Sequence, residues 1–496
     1  MISLTLVGTP NPYGDGFAGC GALLRRRSSQ IKIGAFLDPF SLPAPLVCSR
    51  DRAACAEEVV IKLCLMTTGD RPKGLLAGVR VLECSLLGPA ATGMHLADLG
   101  AEVIKVEAPG GDYVRKMAFP IINGISLLHW HLNRGKRSIV LDLRQAAAVD
   151  VFLRLVEKVD VVIEAMRPGA LARRGITFER MCQHNPRIVY CTVSGYGMTG
   201  PYRDLPAHGI AFDAWAGVAR PTTEAHGFPA IPSYTAIGMN AGPLYAAMGI
   251  LAALLRSRAT GQPCWLEVAQ SDAAAAFNWN GIEGNKAYER PPSEVTGNDG
   301  DGRGERRPVG DNSMTDAVRY QFYRTKDGMI LFMASEQQFW RNFAYGIGRP
   351  DLFEAHPGAR YADHARGNLD LRRELADIFA TRTTAEWVQF GLQVNTPIAP
   401  VHDTKTITRD PHFRERIGFW SRDRVGTELM PSPVRLVNEE LPIPEAAAVE
   451  PGCDTERVLQ ELLDLTPERL SQLRAQGVFG GTFPGNELPG SSGGRE

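Results

Sequence analysis

The chain has 496 residues, of which 54 are Lys or Arg and 55 are Asp or Glu, which gives a formal net charge of -1. This balance excludes a protein that is drawn to nucleic acid or to an anionic membrane by its overall charge, so a polyanionic ligand must be held by a local basic cluster. Because 44% of the residues are hydrophobic, a disordered chain is excluded as well.

The cysteines and the hydropathy pattern indicate a reducing compartment. Nine cysteines are scattered singly between Cys20 and Cys453, without a C-x-x-C pair or a Cys/His quartet at zinc spacing. No stretch reaches the roughly 18 uninterrupted apolar residues that a membrane-spanning helix needs, and the N-terminus lacks the basic flank and apolar run of a secretion signal. We therefore predict a cytoplasmic protein that enters no membrane and holds no metal.

Residues 1–75 differ from the remainder of the chain, because they mix Gly, Pro, three consecutive arginines and four cysteines without a period of 2 or 3.6. We interpret them as a poorly specified N-terminal extension. Met66 stands just ahead of the first strongly patterned segment, so a start codon assigned too far upstream is a second interpretation. Peptides from residues 1–60 in the native protein would contradict it.

The next part of the chain alternates buried strands with helices. The predicted strands are residues 78–83, 101–107, 138–143, 159–164 and 187–193, and the predicted helices are residues 88–99 and 146–158. Strand, helix and strand within about 30 residues imply a right-handed parallel unit. The predicted fold class is therefore α/β with a doubly wound parallel sheet.

A second, smaller domain comes after a change of composition. Helices over residues 244–258 and 269–276 complete a large domain of residues 76–290, and the Gly- and Arg-rich residues 291–316 are a predicted linker. A hairpin of residues 319–325 and 329–333, with helices over 338–347, 368–379 and 384–394, makes a small domain of residues 317–420. Residues 421–480, with an amphipathic helical segment at 458–477, are assigned to a return to the large domain, and residues 481–496 to a disordered tail.

Basic residues crowd the edges of the predicted strands. Lys136 and Arg137 precede one strand, whereas Arg144, Arg167 and Arg173 follow strand ends, where open α/β sheets bind their ligands. Guanidinium and ammonium groups suit phosphate oxygens, so the set predicts a phosphate-bearing ligand. A solvated surface face explains any one of these residues taken alone.

A nicotinamide dinucleotide is the weaker candidate for that ligand. Gly88 and Gly93 lie in the first strand-to-helix turn and Glu107 ends the next strand, but the G-x-G-x-x-G fingerprint is absent. A tight turn is enough to explain both glycines.

A series of short motifs follows one another along the chain. They are Gly78-Val-Arg-Val-Leu-Glu83, Gly88-Pro89, Leu96-Ala-Asp-Leu-Gly-Ala-Glu-Val-Ile-Lys-Val-Glu107, Asn133-Arg-Gly-Lys-Arg-Ser138, Arg167-Pro-Gly169, Ser194-Gly-Tyr-Gly-Met-Thr-Gly-Pro201, Tyr323-Arg-Thr-Lys-Asp-Gly328 and Thr396-Pro-Ile-Ala-Pro400. Together they resemble the family III CoA-transferases, the group of formyl-CoA transferase, carnitine CoA-transferase and alpha-methylacyl-CoA racemase. The resemblance extends over about residues 76–478.

The resemblance implies an intertwined homodimer, in which two chains interlock and each has a large Rossmann-like domain and a smaller α+β domain. It implies coenzyme A or acyl-CoA and a carboxylic acid as small-molecule substrates, with no prosthetic group. The candidate CoA-binding residues, by motif position or by the basic clustering, are Leu141, Arg144, Arg167 and Arg173 together with Lys136 and Arg137.

The position that would carry the transferase chemistry departs from the family pattern. The resemblance implies an Asp nucleophile that attacks the thioester carbonyl and forms a covalent intermediate. The corresponding turn spans residues 223–230 and puts Gly227 at the nucleophile's position. Glu224 could supply a carboxylate if the loop were remodelled, but a solvated loop residue is the simpler interpretation.

The racemases that the family contains use another set of residues, a His paired with a Glu on one face of the α-carbon and an Asp on the other. His208 and Glu336 match the first two motifs, whereas Met239 stands where the Asp is expected. If the pair forms, Glu336 would fix the tautomer of His208 and raise its basicity, which permits a one-base proton relay. A hydrogen-bonded structural His and a surface Glu are the alternative interpretations.

Other candidate residues are interpreted as structural. We interpret Asp213 as a cap of the turn after it. We interpret Cys84, Cys182 and Cys191 as small buried hydrophobic residues.

The leading functional prediction is an enzyme that moves CoA between an acyl-CoA thioester and a carboxylic acid. Two alternatives stay open. One is an acyl-CoA racemase or isomerase that uses His208 and Glu336, and the other is a non-catalytic CoA-binding subunit of a heterodimer with a related chain that keeps the Asp.

Overall fold

The computed structural model describes residues 74–480 except 225, 292, 296–313 and 360–362, together with the backbone of four short strands nearer the N-terminus. The chain divides into two compact units, Met1–Arg71 and Pro72–Glu496. In the first unit, β1 (Thr5–Gly8) pairs antiparallel with β2 (Cys20–Leu23), and β3 (Arg25–Arg26) with β4 (Ser29–Gln30). The rest of the predicted extension, most of the predicted linker and all of the predicted tail lie outside the described residues.

The second unit contains the remaining strands. In chain order they are β5 (Arg80–Ser85), β6 (Glu102–Glu107), β7 (Ile121–Ile122), β8 (Ile125–Ser126), β9 (Lys136–Val140), β10 (Val161–Ala165), β11 (Val189–Ser194), β12 (Thr222–Thr223), β13 (Pro229–Ala230), β14 (Cys264–Ala269), β15 (Tyr320–Arg324), β16 (Met329–Met333) and β17 (Ile398–Pro400).

The α-helices of the second unit connect and cover these strands. They are α1 (Ala91–Asp98), α2 (Leu127–Asn133), α3 (Ala146–Val156), α4 (Phe178–His184), α5 (Ile210–Trp215), α6 (Ile237–Thr260), α7 (Gln270–Phe277), α8 (Trp279–Ala287), α9 (Gln337–Gly346), α10 (Pro350–Ala355), α11 (Leu369–Phe379), α12 (Thr384–Val394), α13 (Pro411–Arg416), α14 (Arg422–Val425), α15 (Thr455–Leu463) and α16 (Pro467–Ala475).

Six parallel strands form the central sheet, in the order β9-β6-β5-β10-β11-β14. Numbered by their occurrence in the sheet, this is the 3-2-1-4-5-6 order of the Rossmann fold. The chain leaves β5 in one direction along the sheet and later returns to pair β10 on the other side of it. The carboxyl ends of β5 and β10 therefore form the crevice where such sheets bind ligands. The predicted doubly wound parallel sheet is confirmed, and β14 is a strand that the sequence analysis missed.

Two hydrophobic layers cover the faces of this sheet. On one face α3 packs together with α15 and α16, and the buried side chains include Phe152 and Leu155 from α3 with Val458 and Leu463 from α15. On the other face α1 and α6 contribute the buried side chains Leu96, Ala246, Ala247, Ile250 and Leu254. Helices from near both ends of the large domain thus cover one sheet.

Helix α6 is long and apolar, with a mean hydropathy of 1.4 over its most apolar 18-residue window. By length and composition it is the one helix in the described part of the chain that could cross a membrane, which the sequence analysis did not expect. Half of that window is buried inside the protein. A core helix of a folded domain passes the same test, so this is weak support for a membrane span.

A separate hydrophobic core surrounds a second sheet, in the part of the chain predicted to be the smaller domain. Strands β15, β16 and β17 form an antiparallel sheet in that order, and the predicted hairpin turns at residues 325–328, where Thr325 N–H donates to the Gly328 carbonyl over 3.1 Å. Trp340 and Phe343 from α9, Phe379 from α11 and Trp387 from α12 are buried against this sheet. Every residue of this core lies between 318 and 398.

Candidate functional site

A cavity of about 350 Å³, which we name the inner cavity, opens at the carboxyl ends of β5, β6, β9 and β10. Its apolar lining includes Leu86, Val106, Leu141 and Met166, and the half-exposed ring of Tyr113 lies among the lining side chains. A further lining residue is Ser85, which is 3% exposed, and its hydroxyl has no hydrogen-bond partner among the described residues.

A second cavity of about 550 Å³ lies beside the inner cavity, and we name it the histidine cavity. It is lined by residues that follow β10 and β11 and by the first residue of α7; the polar ones are Arg167, Arg173, Ser194, Tyr196, Arg203, Asp204, His208 and Gln270. Met166 lines both cavities, so they are neighbours across a single side chain.

Three arginines connect the two cavities. Arg144, Arg173 and Arg174 line a shallow depression, which we name the arginine pocket. Arg144 and Arg174 also line the inner cavity, and Arg173 also lines the histidine cavity. The shared residues make one continuous groove, which is apolar at one end, cationic in its middle and bears His208 at the other end.

Hydrogen bonds to the protein orient each of these guanidinium groups. Arg144 donates to both carboxylate oxygens of Asp142 over 2.8 Å, and these bonds lower the pKa of the Asp142 carboxyl. Arg173 donates to the Pro168 carbonyl and Arg174 to the Ala170 carbonyl, each over 2.9 Å. Each of those two bonds uses one of the five N–H donors of a guanidinium, and such forks match phosphate oxygens.

Two of the predicted cationic ligands are not brought into the groove. Lys136 is buried and its Nζ lies 2.6 Å from both the Glu83 carboxylate and the Ala90 carbonyl, where burial lowers the pKa of the ammonium to about 8. Arg137 pairs with Glu102 and Glu461. Both residues begin β9, whereas the groove lies at its carboxyl end, so the groove of this chain does not support their role in ligand binding, which stays a prediction.

Glu107 is a structural carboxylate in the wall of the inner cavity. It accepts two hydrogen bonds from Arg115, at 2.5 and 2.7 Å, one from the Ser138 hydroxyl at 2.5 Å and one from the Asp112 N–H at 2.7 Å. Burial alone would raise the pKa of Glu107, but the hydrogen bonds and the charge of Arg115, with further help from Lys105 and Ser138, lower it to about 2. Its oxygens are therefore occupied, which argues against the ribose contact of a nicotinamide site.

The neighbourhood of His208 differs from that of a two-base site. The Met239 side chain, in the first turn of α6, packs against Gly88 and Gly209, and any side chain at position 209 would collide with the Met239 thioether. A thioether thus lies next to the His208–Gly209 peptide where the family pattern predicted a carboxylate. Glu336 precedes α9 in the small domain and does not line the groove of its own chain, so the predicted pair with His208 stays a prediction.

Gly227 has no side chain, and no described residue lies close enough to contact a side chain at this position. It lies at the tip of the β12–β13 hairpin with a φ of 86°, and a Cβ there would meet nothing within 4 Å among the described residues. The hairpin is closed by the Glu224 N–H, which donates to the Phe228 carbonyl over 3.1 Å, and the Glu224 side chain is exposed. The position expected for a nucleophile is a solvated turn.

Asp213 caps a helix, but not the turn that the sequence suggested. Its buried carboxylate accepts from the N–H groups of Ile237 and Gly238, at 3.2 and 2.8 Å, and from the Tyr234 hydroxyl at 3.0 Å. These N–H groups open α6, whose own N-cap residue offers no side-chain bond. Burial, and then the neighbouring carboxylate, raises the pKa of Tyr234 to about 12. Asp213 thereby fixes the helix turn that carries Met239.

Arg174 follows Arg173 in the basic cluster that the sequence indicated, but three other groove residues were not predicted as ligand contacts. They are Ser85, Tyr113 and Gln270. Ser85 and Gln270 lie where a strand of the parallel sheet meets the next segment, which is the one signal that could have found them.

Fold and groove together define a class of protein. A Rossmann-ordered sheet with a crevice at its strand ends, an apolar cavity and three arginines beside it is typical of α/β proteins that hold a phosphate-bearing ligand at the carboxyl edge of the sheet. The family model CoA-transferase family III matches residues 76–454, and the chain belongs to this family.

Similar proteins support this assignment. "Probable fatty acyl-CoA transferase Rv3272" from Mycobacterium tuberculosis is 33% identical over 352 residues, which cover 69% of this chain and 86% of the relative. "Succinyl-CoA--L-malate CoA-transferase beta subunit" from Chloroflexus aurantiacus is 28% identical and covers 82% of this chain and 98% of the relative. The crystal structure of Rv3272 has a TM-score of 0.61 and 28% identity, over 77% of this chain and 98% of that chain.

Proposed function

We propose that this protein transfers CoA from an acyl-CoA thioester to a carboxylic acid. The observation that carries the proposal is the continuous groove at the carboxyl edge of the sheet, which joins an apolar cavity, three arginines and His208. Membership of CoA-transferase family III and the names of the relatives support the same reaction class.

The order of chemical environments in the groove suggests how CoA lies in it. The base suits the inner cavity, where Tyr113 offers an aromatic face among apolar side chains. The phosphates suit Arg144, Arg173 and Arg174. The pantetheine arm then reaches the histidine cavity, which brings the thioester to His208 and Arg167.

The reaction requires a carboxylate that attacks the thioester carbonyl. An oxygen of the attacking carboxylate forms a bond to the acyl carbon, the carbon–sulfur bond breaks, and CoA leaves as a thiolate. The thiolate then attacks the other carbonyl of the anhydride, the one that came from the attacking carboxylate, and the donor acid leaves as a carboxylate. If the attacking carboxylate belongs to the protein, the same steps repeat with the acceptor acid on the resulting protein thioester. Because Gly227 and Met239 carry no carboxylate, the attacking group is either another carboxylate of the assembled protein or the acceptor acid itself. His208 can hold a proton near the leaving sulfur.

We propose an assembly of two interlocked chains, either two copies or one copy with a related chain. Leu244, Met248 and Leu255 are spaced 4 and 7 residues apart on α6 and leave an apolar stripe exposed in one chain, as expected for a surface that a partner covers. A relative named as a beta subunit supports the hetero-oligomer.

We also propose a cytoplasmic location. The free thiols among the described residues support it, because disulfides are rare in that compartment; they are Cys84, Cys182, Cys191, Cys264 and Cys453.

The decisive experiment tracks CoA from one acid to another. The purified protein is incubated with succinyl-CoA or a medium-chain acyl-CoA and a panel of carboxylic acids, and new thioesters are identified by mass spectrometry. Formation of a second thioester supports the proposal. Hydroxylamine in parallel samples converts an acyl-enzyme to a protein hydroxamate, whereas transfer without such a product assigns the attack to the acceptor acid.

One alternative function rests on a specific observation. Since neither expected carboxylate position carries an acid, a CoA-binding subunit that completes a heteromer would bind CoA and show no transfer until the related chain is added. Exchange of the α-proton of a 2-methylacyl-CoA in deuterium oxide would instead identify a racemase that uses His208. The first outcome is incompatible with autonomous CoA transfer, and the second replaces it only if no new thioester forms in the presence of an acceptor acid.

A further inference from the structure

Gln270 lines the histidine cavity and carries a buried polar atom that has no partner among the described residues. The residue is 6% exposed, and its side-chain amide oxygen has no hydrogen-bond partner among the described residues. It lines the same cavity as His208 and Arg167. A buried amide oxygen without a hydrogen-bond partner lowers the stability of the folded protein. Such an atom is therefore either a local source of strain or an acceptor that a bound ligand satisfies.

Helix α6 leaves space for this side chain and fixes its position. A Cβ at Gly242 would lie 2.9 Å from the Cγ of Gln270, and a Cβ at Gly238 would lie 2.9 Å from its backbone carbonyl oxygen. Two glycines one helical turn apart therefore let α6 approach Gln270 closely. The Ser271 N–H donates to the Gly195 carbonyl over 3.0 Å, which ties the start of α7 to the loop after β11.

The chemistry of the free atom defines what it can bind. An amide oxygen accepts hydrogen bonds, so its partner must be a donor. If the phosphates lie on the three arginines, the group that enters the histidine cavity is the pantetheine arm, whose last amide N–H is two methylene groups from the sulfur. That N–H is present in every acyl-CoA, whatever its acyl group.

We propose that the Gln270 amide oxygen accepts a hydrogen bond from the cysteamine amide N–H of the bound thioester and so holds the sulfur beside His208. This inference rests on the proposed function. It assigns a substrate-binding residue at the end of the groove opposite to the nucleotide.

Calorimetric titration with two ligands separates this role from a general effect on the groove. Adenosine 3′,5′-bisphosphate carries the base and phosphates of CoA without the pantetheine arm. We expect Gln270→Met, which keeps the unbranched shape but removes the acceptor, to weaken CoA binding about tenfold and to leave the Kd of adenosine 3′,5′-bisphosphate unchanged. Gln270→Glu, which keeps an acceptor oxygen, should restore most of the CoA affinity. Gln262→Met, in the turn after α6, serves as the matched control.

The remaining outcomes overturn either the role of Gln270 or the proposed function. Unchanged CoA affinity in Gln270→Met, or an equal loss for both ligands, overturns the inference while leaving CoA binding by the wild type intact. A wild type that binds neither ligand overturns the proposed function itself. If Gln270→Met does not fold, the wild type is titrated with a CoA analogue that is N-methylated at the cysteamine amide; affinity equal to that of CoA refutes the contact, and a tenfold loss supports it.

Discussion

Replacing Glu107 by Gln removes the acidic partner of a buried ion pair in the wall of the inner cavity. The Arg115 side chain, which is about 7% exposed, would keep its charge but lose the Glu107 carboxylate that accepts its hydrogen bonds. Arg115 also donates to the Val449 carbonyl over 3.0 Å, so the pair ties the chain that returns from the small domain to β6. We expect Glu107→Gln to destabilise the protein strongly near neutral pH.

The magnitude is set by the pKa of the carboxyl. A folded pKa of about 2 against an ordinary value of 4.5 corresponds to about 3 kcal/mol of stability. Breaking a buried ion pair by removing one partner costs a similar amount, about 3–5 kcal/mol. Because the unfolded carboxyl takes up its proton more readily than the folded one, this stability is present above pH 4.5 and is lost as the pH falls towards about 2; roughly 1 kcal/mol is already lost near pH 4.

Urea unfolding near pH 7 and near pH 4 tests the reasoning. The wild type should exceed Glu107→Gln in free energy of unfolding by about 3 kcal/mol near pH 7 and by about 2 kcal/mol near pH 4, because Gln does not titrate. Glu354→Gln, on the exposed surface of α10, controls for the loss of one negative charge. A difference between wild type and Glu107→Gln that is the same at both pH values would refute the assignment of the low pKa to Glu107.

Three further predictions concern the groove and its support. Arg144→Ala and Arg173→Ala should each weaken CoA binding about tenfold or more in calorimetry, since each removes a charge-assisted contact; unchanged affinity in both would mean that the arginines serve structure. Ser85→Ala should weaken CoA and adenosine 3′,5′-bisphosphate by the same factor, about threefold to tenfold, and a loss for CoA alone would contradict the proposed orientation. Asp213→Ala should lower the free energy of unfolding by about 2 kcal/mol in urea titrations, and Asp213→Asn by less.

The sheet was predictable because its strands are short apolar runs with flanking glycines. β14 was missed since its sequence alternates, and its residues are half-buried at the sheet edge, so it lacks the continuous apolar run of its neighbours. α6 begins seven residues earlier than expected because the helix continues through Pro243. The amphipathic segment at 458–477 is two helices, interrupted by Asp464 in a left-handed conformation and restarted by the Thr466 cap ahead of Pro467.

The sequence could predict the site residues whose position follows from the ends of parallel strands. It could not predict those whose role depends on how side chains are buried. Arg144, Arg167 and Arg173 follow parallel strands, so topology alone brings them to one edge. The groove does not support the prediction for Lys136, because this residue lies at the start of a strand, away from that edge, and pairs with the carboxylate of Glu83 on β5. The only sequence signal at Gln270 is its position directly after a strand of the sheet, because the feature that marks it, an amide oxygen without a partner among the described residues, depends on packing.

The core on one face of the central sheet is discontinuous in sequence, since α15 and α16 pack together with α3 although the residues of the 318–398 core lie between them in the chain. The Asp142 N–H also donates to the Val478 carbonyl over 2.7 Å, so one of the last described residues braces the loop that carries Arg144. On the ribosome, the sheet therefore emerges long before the helices that seal one of its faces. A nascent chain must keep the part of that apolar face under α15 and α16 protected until these helices have been synthesised.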